Sequence, residues 1–178
     1  MENISTHRLT IIPCGIELCD SILFWGNEKL KLMAGAEPSN GWPLKEALDF
    51  FSVYRSYLLS DQSLLGWGAW IIVANAGNLI VGDIGFLGKP SWEGDVEIGY
   101  SIAPGSRGNG YAFEAAEALI SWAFNDSRVM KITAKCEPDN LASSKILKKL
   151  GMNFLYTREN LMIWEISKKT LKFRNKFV

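Results

Sequence analysis

Hydrophobic residues recur with two periods along this chain, and each change of period marks a predicted element. Residues 96–102 alternate between apolar and polar side chains, which is typical of a half-buried strand. A spacing of three and four residues begins at Tyr111 and continues through Trp122, as expected for one face of a helix. A short glycine-rich turn separates the two segments, so this region predicts a strand, a turn and a helix.

The same two periods describe the rest of the chain and predict an α/β (α+β) fold. We expect one mixed, mostly antiparallel sheet of about seven strands with helices on both faces. The length favours a single domain, residues 1–178, with a core at about 6–166 and a basic C-terminal tail at 167–178. The predicted strands are 8–13, 67–74, 79–87, 96–102, 131–137, 152–158 and 160–166, and the predicted helices are 15–25, 28–34, Pro43 to Leu59, one from Tyr111, and 141–150.

Composition restricts the possible functions. The 178 residues carry 19 basic and 19 acidic side chains, so the net charge favours neither a nucleic acid nor an anionic membrane as a partner. Three cysteines without metal-ligand spacing are typical of free thiols in a reducing cytoplasm. A single histidine argues against a zinc cluster or a histidine-based triad. No apolar run approaches the roughly 20 residues of a spanning helix, so we expect a cytoplasmic protein without a metal site.

The turn at residues 105–111 has the composition of a phosphate-binding loop. Its glycines let backbone N–H groups approach an anion, and the helix behind it adds a positive end. A Walker loop is excluded because Tyr111 and Ala112 stand where the lysine and the hydroxyl residue are needed. A dinucleotide fingerprint is excluded because Phe113 occupies the place of its third glycine. The remaining pattern places glycines at 105, 108 and 110.

This pattern resembles the acetyl-CoA pyrophosphate loop of the GNAT family of N-acetyltransferases. That family usually has Gln or Arg at the first position, where this chain has Gly105, and Arg107 is positioned to compensate. A second segment, Asn140 to Phe154, resembles the family's Asn-x-x-Ser motif before a helix ending in Leu-Gly-Phe, with Met152 in place of the aromatic residue. The Arg8-Leu9 pair in the first strand resembles the RimJ/RimL-like branch, and the overall likeness extends from about 6 to 166.

The resemblance implies a splayed pair of central strands, 96–102 and 131–137, with acetyl-CoA between them as co-substrate. Pantetheine would bind the backbone near Ile102, and Asn140 and Lys145 would reach the cofactor from the second helix. The alternative interpretation of Asn140 is a helix cap and nothing more, a role that asparagine often has. The pyrophosphate would lie on the loop, with contacts from Arg107, Gly108, Asn109, Gly110, Tyr111 and Ala112.

Two side chains are candidates for catalysis. Glu97 on the predicted strand 96–102 could accept the proton of an amine, directly or through water. Its alternative interpretation is a solvated strand carboxylate. The matching serine in relatives is thought to protonate the leaving thiolate, which makes Ser143 a candidate here, although a first-turn serine often bonds only to the backbone.

The predicted function is therefore transfer of the acetyl group of acetyl-CoA to a primary amine by direct attack. Ribosomal-protein acetyltransferases in the same branch suggest a protein N-terminal α-amine as acceptor. A polyamine or antibiotic amine and a non-catalytic acyl-CoA-binding module remain alternatives, and pairing of the final hairpin between chains would give a homo-oligomer. Tryptophans at strand spacing, such as Trp67 and Trp70, are interpreted as core residues, not as a substrate groove.

Overall fold

The strands follow the alternating and apolar segments of the sequence in a computed structural model that describes residues 1–169. Most of the predicted basic tail, from residue 170 onward, lies outside the described residues. The strands are β1 Ile4–Ser5, β2 Leu9–Pro13, β3 Glu37–Pro38, β4 Ala69–Ala74, β5 Leu79–Phe86, β6 Asp95–Ile102, β7 Lys131–Cys136, β8 Asn153–Arg158 and β9 Leu161–Ser167. The helices bounded within residues 1–169 are α1 Ile16–Asp20, α2 Asn27–Ala34, α3 Lys45–Ser60, α4 Tyr111–Asn125 and α5 Leu141–Lys149.

The predicted fold class is confirmed, with a larger strand number. The described residues form one sheet of nine strands in the order β1-β2-β4-β5-β6-β7-β9-β8, and β3 pairs with β5 outside this path. The β6/β7 and β3/β5 pairs are parallel, and the others are antiparallel. The two strands absent from the prediction are β1 and β3, which have two residues each and are too short for a periodic signal.

Two helices differ from the sequence prediction by more than one residue in their boundaries. The helix expected to start at Pro43 begins at Lys45, because Leu44 is extended with ψ of 157°. The segment expected as one helix over 15–25 contains α1 followed by a π-helical turn, Ser21–Trp25. Gly26, with φ of 79°, then ends this turn and separates it from α2.

The core lies on both faces of the sheet. Alternate residues of β4 belong to different clusters: Trp70 and Ile72 pack with α4 residues, whereas Ile71 packs with α3 residues on the opposite face. All of β4 is buried, which explains its continuous apolar sequence. No helix within residues 1–169 is long and apolar enough to cross a lipid bilayer.

The sheet opens between β6 and β7. These strands pair only from Asp95/Lys131 to Glu97/Thr133, although β6 continues to Ile102 and remains paired with β5 on its other edge. The opening lies where α4 and α5 begin, because each helix follows one of the two strands along the chain. This is the splayed strand pair that the resemblance predicts.

Candidate active site

The opening between β6 and β7 exposes backbone groups of β6. The Ala103 N–H donates to the Val81 carbonyl at 2.9 Å, so the backbone N–H of Ala103 points toward β5. Backbone groups alternate in direction along an antiparallel strand, and those of Ile102 therefore point into the opening. The Ile102 carbonyl accepts a hydrogen bond of 3.1 Å from Arg107 Nε, and its N–H is a donor at the end of β6.

The loop after β6 depends on two glycines with left-handed backbone. Gly108 and Gly110 both have φ of 79°, a region that residues with a Cβ rarely adopt. Gly105 instead lies in a short 3₁₀ turn without positive φ, and a Cβ there would meet no atom of the described residues within 4 Å. Gly105, at the position where the family usually has Gln or Arg, is therefore not required by the shape of the loop.

The N-terminus of α4 is open at the end of this loop. Gly110 is its N-cap residue, and no side chain within residues 1–169 caps this end of the helix. The first N–H groups of the helix, those of Tyr111 and Ala112, have no acceptor within the helix itself. Together with the positive end of the helix dipole, they form a site for an anion.

Arg8, which directly precedes β2, connects the loop to α4. Its Nη1 donates to the Asn109 carbonyl at 2.9 Å, its Nη2 lies 2.6 Å from Glu114 Oε2, and its guanidinium lies 5.2 Å from the Tyr111 ring centre. The Asn109 amide donates to the Ser106 carbonyl at 3.0 Å. The Asn109 side chain thus braces the loop and is not turned toward a ligand.

The first turn of α5 lies across the opening from the loop. Asn140 is its N-cap residue, and its Oδ1 accepts a hydrogen bond of 3.0 Å from the Ser143 N–H. The capping role considered for Asn140 is thus observed, and the same residue also borders the cavity described next. Lys145 lies on the exposed side of α5 and does not line that cavity.

A cavity of about 570 Å³ joins these parts. It runs from the N-terminus of α4, past the end of β6, to the first turn of α5, and Leu44 before α3 forms part of its wall. Its lining includes these residues predicted as site residues: Ile102, Arg107, Gly108, Gly110, Tyr111, Ala112, Asn140 and Ser143. Sequence reasoning did not single out the other lining residues, Leu44, Tyr100, Ser101, Ser106, Ala142 and Ile146.

Comparison with known proteins identifies the family. The family model described as "Acetyltransferase (GNAT) domain" matches residues 8–153, which is most of the chain. The chain is a GNAT acetyltransferase. It is 37% identical over 151 residues to the uncharacterized N-acetyltransferase YjdG of Bacillus subtilis, covering 85% of this chain and 89% of YjdG.

Solved structures show the same fold at lower identity. The ribosomal-protein-S5-alanine acetyltransferase of Vibrio fischeri superposes with a TM-score of 0.65 at 18% identity, covering 94% of this chain and 97% of that one. A ribosomal-protein acetyltransferase, RimL, in complex with coenzyme A superposes with a TM-score of 0.61 at 16% identity, covering 93% and 98%. GNAT enzymes use acetyl-CoA, and this chain is an N-acetyltransferase of that kind.

Glu97, the predicted base of this GNAT enzyme, lies in the closed part of the sheet. It pairs with Thr133 at the last position where β6 and β7 are joined, and its Oε2 lies 2.8 Å from Lys135 Nζ. It does not line the cavity. Ser101 lies four positions further along β6, a distance of about 13 Å along a strand. Glu97 is therefore placed for a relay through water rather than for direct contact with a group in this cavity.

Tyr100 and Ser143 approach each other in the cavity wall. The Tyr100 hydroxyl is buried and has no hydrogen-bond partner of good geometry among residues 1–169. Burial raises the pKa of Tyr100 to about 12, and the nearby Ser143 side chain partly offsets this rise. Tyr100 is consequently a neutral hydroxyl at physiological pH, and it can donate a hydrogen bond.

A carboxylate that sequence reasoning missed lies beside the cavity. Asp83 of β5 is 7% exposed, and one of its oxygens, Oδ2, accepts hydrogen bonds from Trp42 Nε1 at 2.8 Å and Ser101 Oγ at 2.9 Å. We refer to these three residues as the Asp83 cluster. Burial raises the pKa of Asp83 to about 6, against the opposite effect of the two hydrogen bonds. The sequence signal for this site is one charged residue, Asp83, inside the otherwise apolar strand 79–87.

Trp42, Trp67 and Trp70 lie in the core and do not line the cavity. Trp67 and Trp70 are buried and pack against Trp122 with ring centres 5.0 and 5.4 Å away, in agreement with their interpretation as core residues. Trp42 is also buried and packs edge-on against Phe51, which fixes its indole N–H toward Asp83. None of the cavity-lining residues is a tryptophan.

Proposed function

We propose that this enzyme transfers the acetyl group of acetyl-CoA to a primary amine by direct attack on the thioester. The observation that supports this most strongly is the cavity between the splayed strands, which has an open helix N-terminus at one end and hydroxyl groups at the other. A diphosphate suits the first end, and a thioester suits the second. No covalent enzyme intermediate is needed, because the amine itself is the nucleophile.

In this proposal the diphosphate lies on the N–H groups of residues 108–112. Pantetheine then follows the open edge of β6, with the Ile102 N–H as a hydrogen-bond donor. The backbone of Asn109 contributes at the loop, since its side chain is engaged within it. Arg107, whose Nε is occupied by Ile102, offers its terminal guanidinium nitrogens to phosphate. Lys145 is exposed, so it would reach only the solvent-facing part of the cofactor.

The acceptor must be neutral when it attacks. At pH 7 the deprotonation of an α-amine costs about 1.4 kcal/mol, whereas that of a lysine side chain costs about 4.6 kcal/mol. A protein N-terminal α-amine therefore needs less help from a general base in the site. The ribosomal-protein acetyltransferases with this fold favour the same acceptor class. We propose it as the first class to examine.

The leaving CoA thiolate needs a proton or a hydrogen bond. Ser143 is placed for this in the proposed complex, because it lines the cavity and lies beside the neutral Tyr100 hydroxyl. Its backbone N–H is bound to Asn140, which fixes the position of the residue at the first turn of α5. Glu97, which does not line the cavity, would act only through a water relay.

A screen of acceptors tests the function. Acetyl-CoA is incubated with peptides that carry free N-terminal amines and with a panel of small amines, including polyamines and aminoglycosides. CoA release and acetylated products are followed by thiol detection and mass spectrometry. Acetylated peptides support the N-terminal acceptor, and products only among the small amines replace it by a small-molecule acceptor. Saturable acetyl-CoA binding without CoA release in any reaction would instead indicate a non-catalytic acyl-CoA-binding module.

The three cysteines bear on the cellular compartment of the protein. Cys14, Cys19 and Cys136 are all buried free thiols. Such thiols persist in a reducing compartment, and we propose the cytoplasm.

A further inference from the structure

Asp83 is an unusual group in this molecule. It is the one acidic side chain among the described residues that is almost fully buried, and none of the ion pairs formed by residues 1–169 includes it. A buried carboxylate without a cation is costly, and its hydrogen bonds from Trp42 and Ser101 compensate only in part. A purely structural role could be filled by a neutral amide at lower cost.

The position of Asp83 links it to the cavity. Its partner Ser101 lines the cavity and directly precedes Ile102, whose N–H faces the proposed pantetheine path. Asp83 and Ser101 are opposite each other in the β5/β6 pair, so both side chains lie on the same face of the sheet. Trp42 holds the carboxylate from the loop before α3, and Leu44 of that loop also lines the cavity.

The surroundings of Asp83 within residues 1–169 contain no cation that would keep it ionised. The titratable group that faces it is Cys14, between β2 and α1, and burial together with Cys19 and Asp83 raises the pKa of that thiol. Tyr54 of α3 lies behind these thiols, and its pKa is also raised by burial. Asp83 is the group of this set that titrates near neutral pH, with a pKa of about 6, which suits a proton acceptor.

We propose that Asp83, acting through the Ser101 hydroxyl, accepts the proton that the acceptor amine loses as it attacks the thioester. This inference rests on the proposed function. The amine proton moves to Ser101 Oγ while the Ser101 hydroxyl proton moves to Asp83 Oδ2, and Asp83 becomes a neutral acid. The nitrogen lone pair forms the C–N bond, and the C–S bond breaks with its electrons on sulfur. Asp83 then returns its proton through the Ser101 hydroxyl to solvent in the cavity. Ser101 touches the amine, and Asp83 acts behind it.

The test is the pH profile of kcat/KM between pH 5 and 9, measured as CoA release with an alanine N-terminal peptide and with spermidine. For the wild-type protein we expect an acidic limb near pH 6. Asp83→Asn should lose this limb and lower kcat/KM at pH 7 by about 100-fold or more, within the usual range for a general base. Trp42→Phe should shift the limb to higher pH, because the indole hydrogen bond lowers the pKa of Asp83.

Matched variants separate proton transfer from structure. Ser101→Ala should lose the acidic limb, and Ser101→Thr, which keeps a hydroxyl, should restore it. Asp61→Asn changes an exposed aspartate paired with Lys89 and should leave the profile as in the wild type. Acetyl-CoA affinity, measured by calorimetry for each variant, shows whether the cofactor site is intact.

The outcomes distinguish this inference from the proposed function. An active wild-type protein whose acidic limb survives in Asp83→Asn, or in Ser101→Ala, overturns the inference and leaves the proposed function standing. Loss of the limb in Glu97→Gln with its retention in Asp83→Asn assigns the base to Glu97. Absence of CoA release by the wild-type protein with both acceptors overturns the proposed function, and the inference with it. If Asp83→Asn does not fold, the Trp42→Phe shift and the Ser101 pair decide the question.

Discussion

The loop after β6 and the Asp83 cluster both adjoin the cavity, but they are built from different groups. Backbone N–H groups and left-handed glycines form the loop, within a few consecutive residues. Side chains form the Asp83 cluster, and they come from the loop before α3, from β5 and from β6. The first region can hold an anion without a buried charge, whereas the second keeps a carboxylate away from water. We therefore expect the two regions to respond differently to substitution and to pH.

The largest expected effect concerns stability and Asp83. Its pKa in the folded protein is about 6, above the roughly 3.9 of an unfolded chain. Between these values the unfolded state loses its proton first, so the free energy of unfolding falls as pH rises from about 4 to 6. The loss from this residue is about 2–3 kcal/mol above pH 6.

Denaturant unfolding of wild type and Asp83→Asn at pH 4, 5, 6 and 7 measures this effect. The difference between the two proteins isolates Asp83 from carboxylates with lowered pKa, such as Asp61 and Glu114, whose contributions rise with pH. Asp83→Asn should become more stable relative to wild type across this range. A constant difference would show that Asp83 titrates as an ordinary exposed carboxylate.

At the loop, two glycines form a matched pair. A Cβ added at Gly108 or at Gly105 would meet no atom within 4 Å in the part of the chain that the structure describes, but of the two only Gly108 has positive φ. Gly108→Val should lower acetyl-CoA affinity about 100-fold, or about 2.7 kcal/mol, because a β-branched residue cannot keep the loop shape. Gly105→Val should change it less than about threefold. Calorimetric titration gives both values, and equal losses would contradict the assignment of loop shape to Gly108.

A smaller effect is expected at Asn140, whose side chain caps α5. Asn140→Ala removes the acceptor for the Ser143 N–H and should lower the free energy of unfolding by about 1 kcal/mol. Asn140→Asp keeps a capping oxygen and should remain within a few tenths of wild type. Thermal or denaturant unfolding compares the two, and equal losses in both variants would argue against the cap as the source of the stability.

The smallest effect is expected at Glu97. Its partner Lys135 is about half exposed, and such ion pairs contribute little to stability. With Asp83 as the proton acceptor, Glu97→Gln should change kcat/KM at pH 7 less than about threefold and keep the acidic limb. Lys135→Met is the matched variant for loss of the ion pair alone. A large loss in Glu97→Gln that Lys135→Met does not share would restore Glu97 as the base.

The contrast between the two regions also explains what the sequence could predict. The loop at 105–112 and the cap at Asn140 depend on local backbone geometry, so residue type and spacing reveal them. The Asp83 cluster depends on contacts between residues 41 and 18 positions apart, which no local pattern contains. The ion pair between Glu97 and Lys135 likewise follows from pairing of β6 with β7. Periodicity predicted the long strands, whereas β1 and β3 are stabilised by their neighbours.

We propose that acetyl-CoA binds between β6 and β7 with its diphosphate on the loop of Gly108 and Gly110. Calorimetric titration of acetyl-CoA into the wild-type protein at neutral pH, with Gly108→Val in parallel, tests it most directly. We predict saturable binding of one acetyl-CoA per chain to the wild type and a loss of about 100-fold in the variant. No binding to the wild type, or equal binding to both proteins, would contradict the claim.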